Sequence, residues 1–162
     1  MTDIAIINAS PLIFLSRGHH IELLKGFADE IWVPQPVAHE IQQRGESDIS
    51  VQTIENTDWL IVKPVLTIPK AITEWRLGDG ESSVIALAAA QQIGCEAIID
   101  DLMGRKCAAS LGIPVRGTLG IVLAAKKRGI IPKARPIIED MMHIGLYLSK
   151  KVLDRALALV DE

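Results

Sequence analysis

Ile4-Ala5-Ile6-Ile7-Asn8-Ala9-Ser10-Pro11 joins an apolar run directly to a helix-opening pair. The run Ile4 to Ala9 is short, apolar and rich in β-branched residues, and it predicts a buried strand. Ser10 is a good N-cap and Pro11 a good first helical residue, so a helix is expected to begin at once. Leu12, Ile13 and Leu15 then face the core. A strand that runs straight into a helix is the opening of an alternating α/β chain.

The pattern repeats outward from there. A second short helix is expected over Ile21 to Phe27, and Ile31-Trp32-Val33 reads as a strand. Pro34 and Pro36 end that strand and open a helix carrying Val37, Glu40 and Ile41. Ser47 to Thr57 is polar and carries no clear period. Leu60 to Val65 reads as an edge strand limited by Pro64. Asp79 and Gly80 open a long Ala-rich helix, Glu81 to Ile93, closed by Gly94. Ala97-Ile98-Ile99 is a further buried strand that ends at Asp100-Asp101. A helix runs on to Leu111 and stops at Gly112. Pro114-Val115-Arg116 is a short strand, and Thr118 caps a helix to Arg128. Two more helices cover roughly Lys133 to Ile144 and Ser149 to Val160. They carry apolar Ile138, Met141, Met142, Leu146 and Leu153, which complete the core or bury an interface. Strands alternating with helices predict a mostly parallel sheet covered on both faces. In such sheets the functional site lies at the carboxyl ends of the strands.

Composition narrows the class. At 162 residues, one compact domain over 1–162 is expected. Aromatics are only 4% against 49% hydrophobic residues overall, so aliphatic side chains and alanine must fill the core. That favours helices on a small sheet over a β-sandwich. The net charge of −3 excludes a bulk nucleic-acid coater, which depends on neutralising many phosphates. Cys95 and Cys107 form no CxxC pair, which fits a reducing compartment. The opening Met1-Thr2-Asp3-Ile4 carries an acid and no basic region, so neither a signal peptide nor a membrane span is expected. The expectation is a soluble, cytoplasmic protein.

The polar residues become informative on this layout. Asn8 lies near the carboxyl end of the first strand, and Asp100 and Asp101 lie at the end of a later one. Parallel strands bring those ends to one side. Glu40 sits on the helix after the second strand, and Glu81 starts the long helix beside Asp79. Clustered carboxylates repel unless a cation neutralises them. Oxygen donors suit Mg²⁺ or Mn²⁺, and such ions activate water and stabilise charge on a phosphodiester. Each residue also has an ordinary structural role. Asp79 can cap a helix, Glu81 suits a first helical turn, and Glu40 suits a solvated face. Asp100-Asp101 suits a turn and N-cap, and Asn8 a strand-end acceptor. The joint arrangement, not any single residue, points to metal-assisted phosphodiester hydrolysis.

These segments resemble the PIN-domain family. Ile6 to Ile13 is similar to its opening, where a strand ends in Asp, then a small residue, then Ser or Thr. Val37-Ala38-His39-Glu40-Ile41 resembles its second acidic motif, and Leu77 to Ala88 its third. Ile98-Ile99-Asp100-Asp101, with Gly104-Arg105 and Ala108, resembles the fourth, and Gly112 to Gly120 extends the match. The last two segments look most like a PIN-like subgroup related to VapC toxins. The resemblance covers about residues 3 to 130. It implies a three-layer α/β/α fold, Mg²⁺- or Mn²⁺-dependent endoribonuclease activity, a small antitoxin partner and a homodimer. It also implies metal-site positions at Asn8, Glu40, Glu81 and Asp100 or Asp101, the acids among them catalytic. Ser10, Arg105 and Thr118 are candidates for contact with RNA. One departure matters: Asn8 stands where the family has Asp. Its amide oxygen can ligate a hard cation but brings no charge, so weaker metal binding and weakened cleavage are expected. A non-catalytic protein that keeps the scaffold for binding or dimerisation is the alternative. Another carboxylate-and-Mg²⁺ phosphohydrolase on a doubly wound sheet is a third reading.

Other motifs fail on inspection. His39-Glu40 begins like HExxH, but Gln43 occupies the second histidine position. Gly78-Asp79-Gly80 begins like a dinucleotide fingerprint, but Ser83 replaces the third glycine and two acids would repel phosphate. His19, His20 and His143 show no metal-ligand spacing with a cysteine. Lys126-Lys127-Arg128 suits a helix C-terminus, with an RNA-phosphate contact as the functional alternative.

Overall fold

The computed structural model describes residues 2–91 and 94–162. Strand β1 (Thr2–Ile7) is central, between β2 (Ala28–Pro34) and β4 (Cys95–Ile98). Beyond them lie β3 (Leu60–Lys63) at one edge and β5 (Val115–Arg116) at the other. Each of the four pairings is parallel. Ala5, Ile6 and Ile7 are all 0% exposed, as are Ala97, Ile98 and Ile99. Successive strand residues point to opposite faces, so both faces of the sheet are covered.

The chain steps from β1 to β2 to β3 in one direction. It then returns past them to β4 and continues outward to β5. Right-handed crossovers therefore place the early and late connections on opposite faces. The result is the expected three-layer α/β/α fold, with its direction reversing between β1 and β4. On the first connections lie α1 (Ala9–Arg17), a 3₁₀ turn at Ile21–Gly26, α2 (Gln35–Gln42) and α3 (Ile49–Asn56). The return carries α4 (Lys70–Thr73) and α5 (Asp79–Ala89), and α5 packs on β1, β2 and β4. Then follow α6 (Leu102–Ser110), α7 (Thr118–Lys127), α8 (Arg135–His143) and α9 (Lys150–Ala158). Ile138 and Met141 of α8 and Leu157 of α9 join the main core. Met142, Leu146 and Leu153 pack against it. Among the described residues no helix is long and apolar enough to cross a membrane.

Several boundaries differ from the sequence expectation. The first strand stops at Ile7, not Ala9, and Asn8 rather than Ser10 is the N-cap of α1. The Asn8 carbonyl accepts from the Leu12 amide at 3.4 Å, which sets the helix to begin at Ala9. Pro11 then sits in the first turn, where its missing N–H costs nothing. Likewise Gly117, not Thr118, is the N-cap of α7. The stretch 47–57 is helical because Asp48 caps α3, accepting from the Ser50 amide at 2.9 Å. The short α4 has no counterpart in the sequence reading. The edge strand ends at Lys63, one residue before Pro64. The C-terminal limit expected for the long helix, Ile93, lies outside the described residues, and α5 ends at Ala89.

Candidate active site

The crevice at the carboxyl ends of β1 and β4 is the topological switch point, where open parallel sheets place their ligands. Asn8 and Asp100 come from its two sides. The Asn8 amide donates to the Ile98 carbonyl at 3.0 Å, which ties the end of β1 to the end of β4. The Asn8 side chain is only 4% exposed, and its Oδ1 has no hydrogen-bond partner. A buried acceptor left in that condition costs about 1–3 kcal/mol, so its presence calls for a reason.

Gly80 explains what Oδ1 faces. A Cβ on Gly80 would stand 2.9 Å from Asn8 Oδ1 and 3.6 Å from Glu40 Oε1. Both oxygens therefore look onto the same small volume, which glycine keeps open. Glu40 reaches it from α2, and Gly80 lies in the first turn of α5 against which α2 packs. Although Glu40 is an exposed residue, partial burial of its carboxyl pushes its pKa up, and the Glu81 charge pushes it further. Asp79 adds to the rise, while Arg44 opposes it.

Glu81 and Asp101 both approach Gly104. A Cβ on Gly104 would lie 3.4 Å from Glu81 Cγ and 3.6 Å from Asp101 Oδ2. Asp101 is the N-cap of α6, accepting from the Gly104 amide at 2.9 Å. Glu81 folds back toward the N-terminus of α5, its Oε2 2.8 Å from where Gly78 would carry a Cβ. Helix N-termini favour negative charge, so both acids sit where the backbone partly offsets their repulsion.

Asp100 points elsewhere. Its Oδ1 accepts from the Thr118 amide at 2.7 Å, and its Oδ2 accepts from the Thr118 hydroxyl at 2.7 Å. The Ser10 hydroxyl adds a longer contact to Oδ2 at 3.4 Å. Asp100 thus caps α7 from the end of β4 and ties it to α1. Ser10 and Thr118, read from sequence as RNA contacts, are both held by this carboxylate. Arg105 is close as well. A Cβ on Gly117 would meet Arg105 Nη1 at 2.8 Å and Asp100 Oδ1 at 2.9 Å. The guanidinium therefore shares a small space with the acid that follows β4.

Among the described residues no group of three or more His, Cys, Asp and Glu stands close enough to hold one metal ion. The rim brings the Asn8 and Glu40 side-chain oxygens onto one space, with Glu81 and Asp101 beside Gly104. A family described as a PIN domain matches residues 4–162.

The chain belongs to the PIN-domain family.

PIN domains are generally nucleases, and they typically use divalent metals. No curated protein matches the chain. Residues outside the rim have structural work. Lys126 donates to the Pro132 carbonyl at 2.7 Å. Arg128 donates to the carbonyls of Gly26 and Phe27 at 2.8 and 3.2 Å. Burial, with Glu96 adding, pushes the Cys95 thiol up to about 11, and burial raises Cys107 as well. Both are therefore poor nucleophiles. Arg44 and Gly80 carry no site role in the sequence reading, and Asp79 appears there beside Glu81 as a helix cap. Arg44 and Asp79 act on Glu40 only across helix contacts. Gly80 is recognisable only once Asn8 and Glu40 are seen on either side of it.

Proposed function

We propose that this PIN domain is a metal-dependent endoribonuclease, the toxin of a toxin–antitoxin pair. The observation that carries the reading is the unpartnered, buried Oδ1 of Asn8, which faces Glu40 across the open space above Gly80. An amide oxygen accepts only from a donor or a cation. Every other donor at this rim is a carboxylate, a set that fits Mg²⁺ or Mn²⁺. Such ions keep several waters and take few protein ligands. Asn8 with Glu40, and Glu81 and Asp101 beside them, are the groups that would hold it, with Asp100 kept next to them as the cap of α7. When bound, the ion supplies water activation and charge stabilisation at the phosphodiester. The chain's own residues orient and restrain. Asp100 fixes Ser10 and Thr118 beside the crevice, and Arg105 offsets negative charge there. Gly80 and Gly104 keep the floor free of side chains.

Cleavage of RNA by the purified protein, with and without Mn²⁺, tests this. Glu81→Gln and Asp101→Asn should each lower the rate by about 100-fold or more, the scale expected when groups that control a metal are lost. Unchanged cleavage by both would refute the assignment. A small antitoxin partner and a homodimer belong to the same proposal. Growth arrest on expression, relieved by a co-expressed partner, is its cellular readout. Asn8 favours one second reading. With an uncharged donor where an acid is expected, the scaffold binds RNA or a protein partner and cuts weakly. Absence of metal-dependent cleavage together with retained RNA or partner binding is its signature.

A further inference from the structure

A groove of about 380 Å³ opens directly beside the acidic rim. Ser10 and Glu40 belong to both. Its walls are apolar at Ile13, Phe14 and Ile144, and cationic at Arg17 and Arg44. The two guanidinium groups share one carboxylate oxygen, Asp48 Oδ2, at 3.3 and 3.1 Å. Each arginine side chain remains 37% exposed. Two positive charges thus converge on one negative charge. Each guanidinium has five N–H donors and spends one on Asp48. The planar forks that remain match phosphate oxygens.

We propose that this groove carries single-stranded RNA on one side of the cut, with Arg17 and Arg44 holding the backbone phosphate next to the scissile one. The proposal rests on the nuclease reading and adds the path of its substrate. The volume lies within the roughly 300–1,000 Å³ range of small-ligand pockets, so one nucleoside fits it. Phe14 and Ile144 offer an apolar surface that an unstacked base can cover, as single-strand binders do. A duplex cannot present a base in this way, because its bases are paired and stacked. The groove also solves a problem of charge. An acidic protein with a carboxylate rim repels RNA, and this cationic pair is set where the approaching strand first needs an opposite charge.

The test is binding of a short fluorescein-labelled single-stranded RNA of mixed sequence, followed by anisotropy in EDTA over a series of salt concentrations. Without metal, cleavage is absent and the nuclease reading is not on trial. Arg17→Gln/Arg44→Gln should weaken binding roughly tenfold and flatten the log–log salt slope by about 0.7 for each phosphate that is no longer neutralised. Lys25→Gln, beside the amino-terminal end of β2 and so away from the crevice, should leave the slope as it is. Arg44→Lys should keep the slope, since the charge stays. Thermal melting shows whether each variant is folded. If the double variant is not, Arg44→Gln alone is compared with Arg44→Lys. A slope and affinity equal to wild type in the folded glutamine variants overturns the proposal, even where the wild type cleaves RNA. Loss of cleavage in Glu81→Gln with RNA binding intact separates the two claims.

Discussion

Asp48 and Glu40 both lie within reach of Arg44, and the fold treats them in opposite ways. Asp48 is saturated with donors. The Ser50 hydroxyl and amide, Arg44 and Arg17 hold its carboxyl far below the usual carboxylate range, against the cost of burial. Glu40 meets burial and the charges of Glu81 and Asp79, which raise its pKa against the pull of Arg44. One acid has been placed for stability. The other lies exposed at the rim among like charges. A carboxylate's role is read from its partners, not from its presence.

The largest effect on this contrast comes from Asp48→Ala. It removes the α3 cap and leaves two arginines without their shared anion, so unfolding stability should fall by about 1–2 kcal/mol. For a chain of this size that is roughly 4 °C in Tm. The sign follows from the lowered pKa. The stabilisation is present above the ordinary value of 3.8 and is lost as pH falls through the folded value. The gap between wild type and variant should therefore be full at neutral pH and close in strong acid. A pH-independent gap would mean that the charge of Asp48 is irrelevant.

Asn8→Asp sharpens the comparison from the other side. It adds the anion that the rim lacks, and Mn²⁺ affinity by calorimetry should rise about tenfold, near 1.4 kcal/mol. Equal affinity would show that position 8 is not a ligand. The smallest effect is expected from Glu40→Gln without metal. Glu40's raised pKa means that folding favours its protonated form, so its ionisation costs stability as pH rises through the folded value. The variant should gain about 0.5 kcal/mol or less near pH 7 and nothing below the ordinary value of 4.5. Denaturant melts at both pH values check this. A loss at neutral pH would place Glu40 with Asp48 as a structural acid.

Much of this architecture was legible in the chain. The run from Ala5 to Ile7 is buried on both faces, so its pattern does not depend on partners. Gly112 and Gly129 mark helix ends by local backbone preference. That Asn8 and Asp100 share one rim follows from parallel strands alone. Less of the site was legible. The difference between Asp100 and Asp101 depends on where α7 begins. Asp100 finds Thr118 across the sheet, and Asp101 finds the Gly104 amide in its own helix. Polar 47–57 hid a helix because only Ser50 and Val51 of α3 are buried, too few to show an apolar period.

The sequence by itself determined the layers, the order of strand and helix, and the identity of the acids at the rim. Periodicity and turn chemistry are local, and local signals survive without a fold. Which acids are satisfied and which face open space was settled by packing. That depends on neighbours such as Asn8 with Glu40, Glu81 with Asp101, and Asp48 with two arginines. Their contacts form only after the helices have packed, because electrostatics acts through distances that the chain order does not contain.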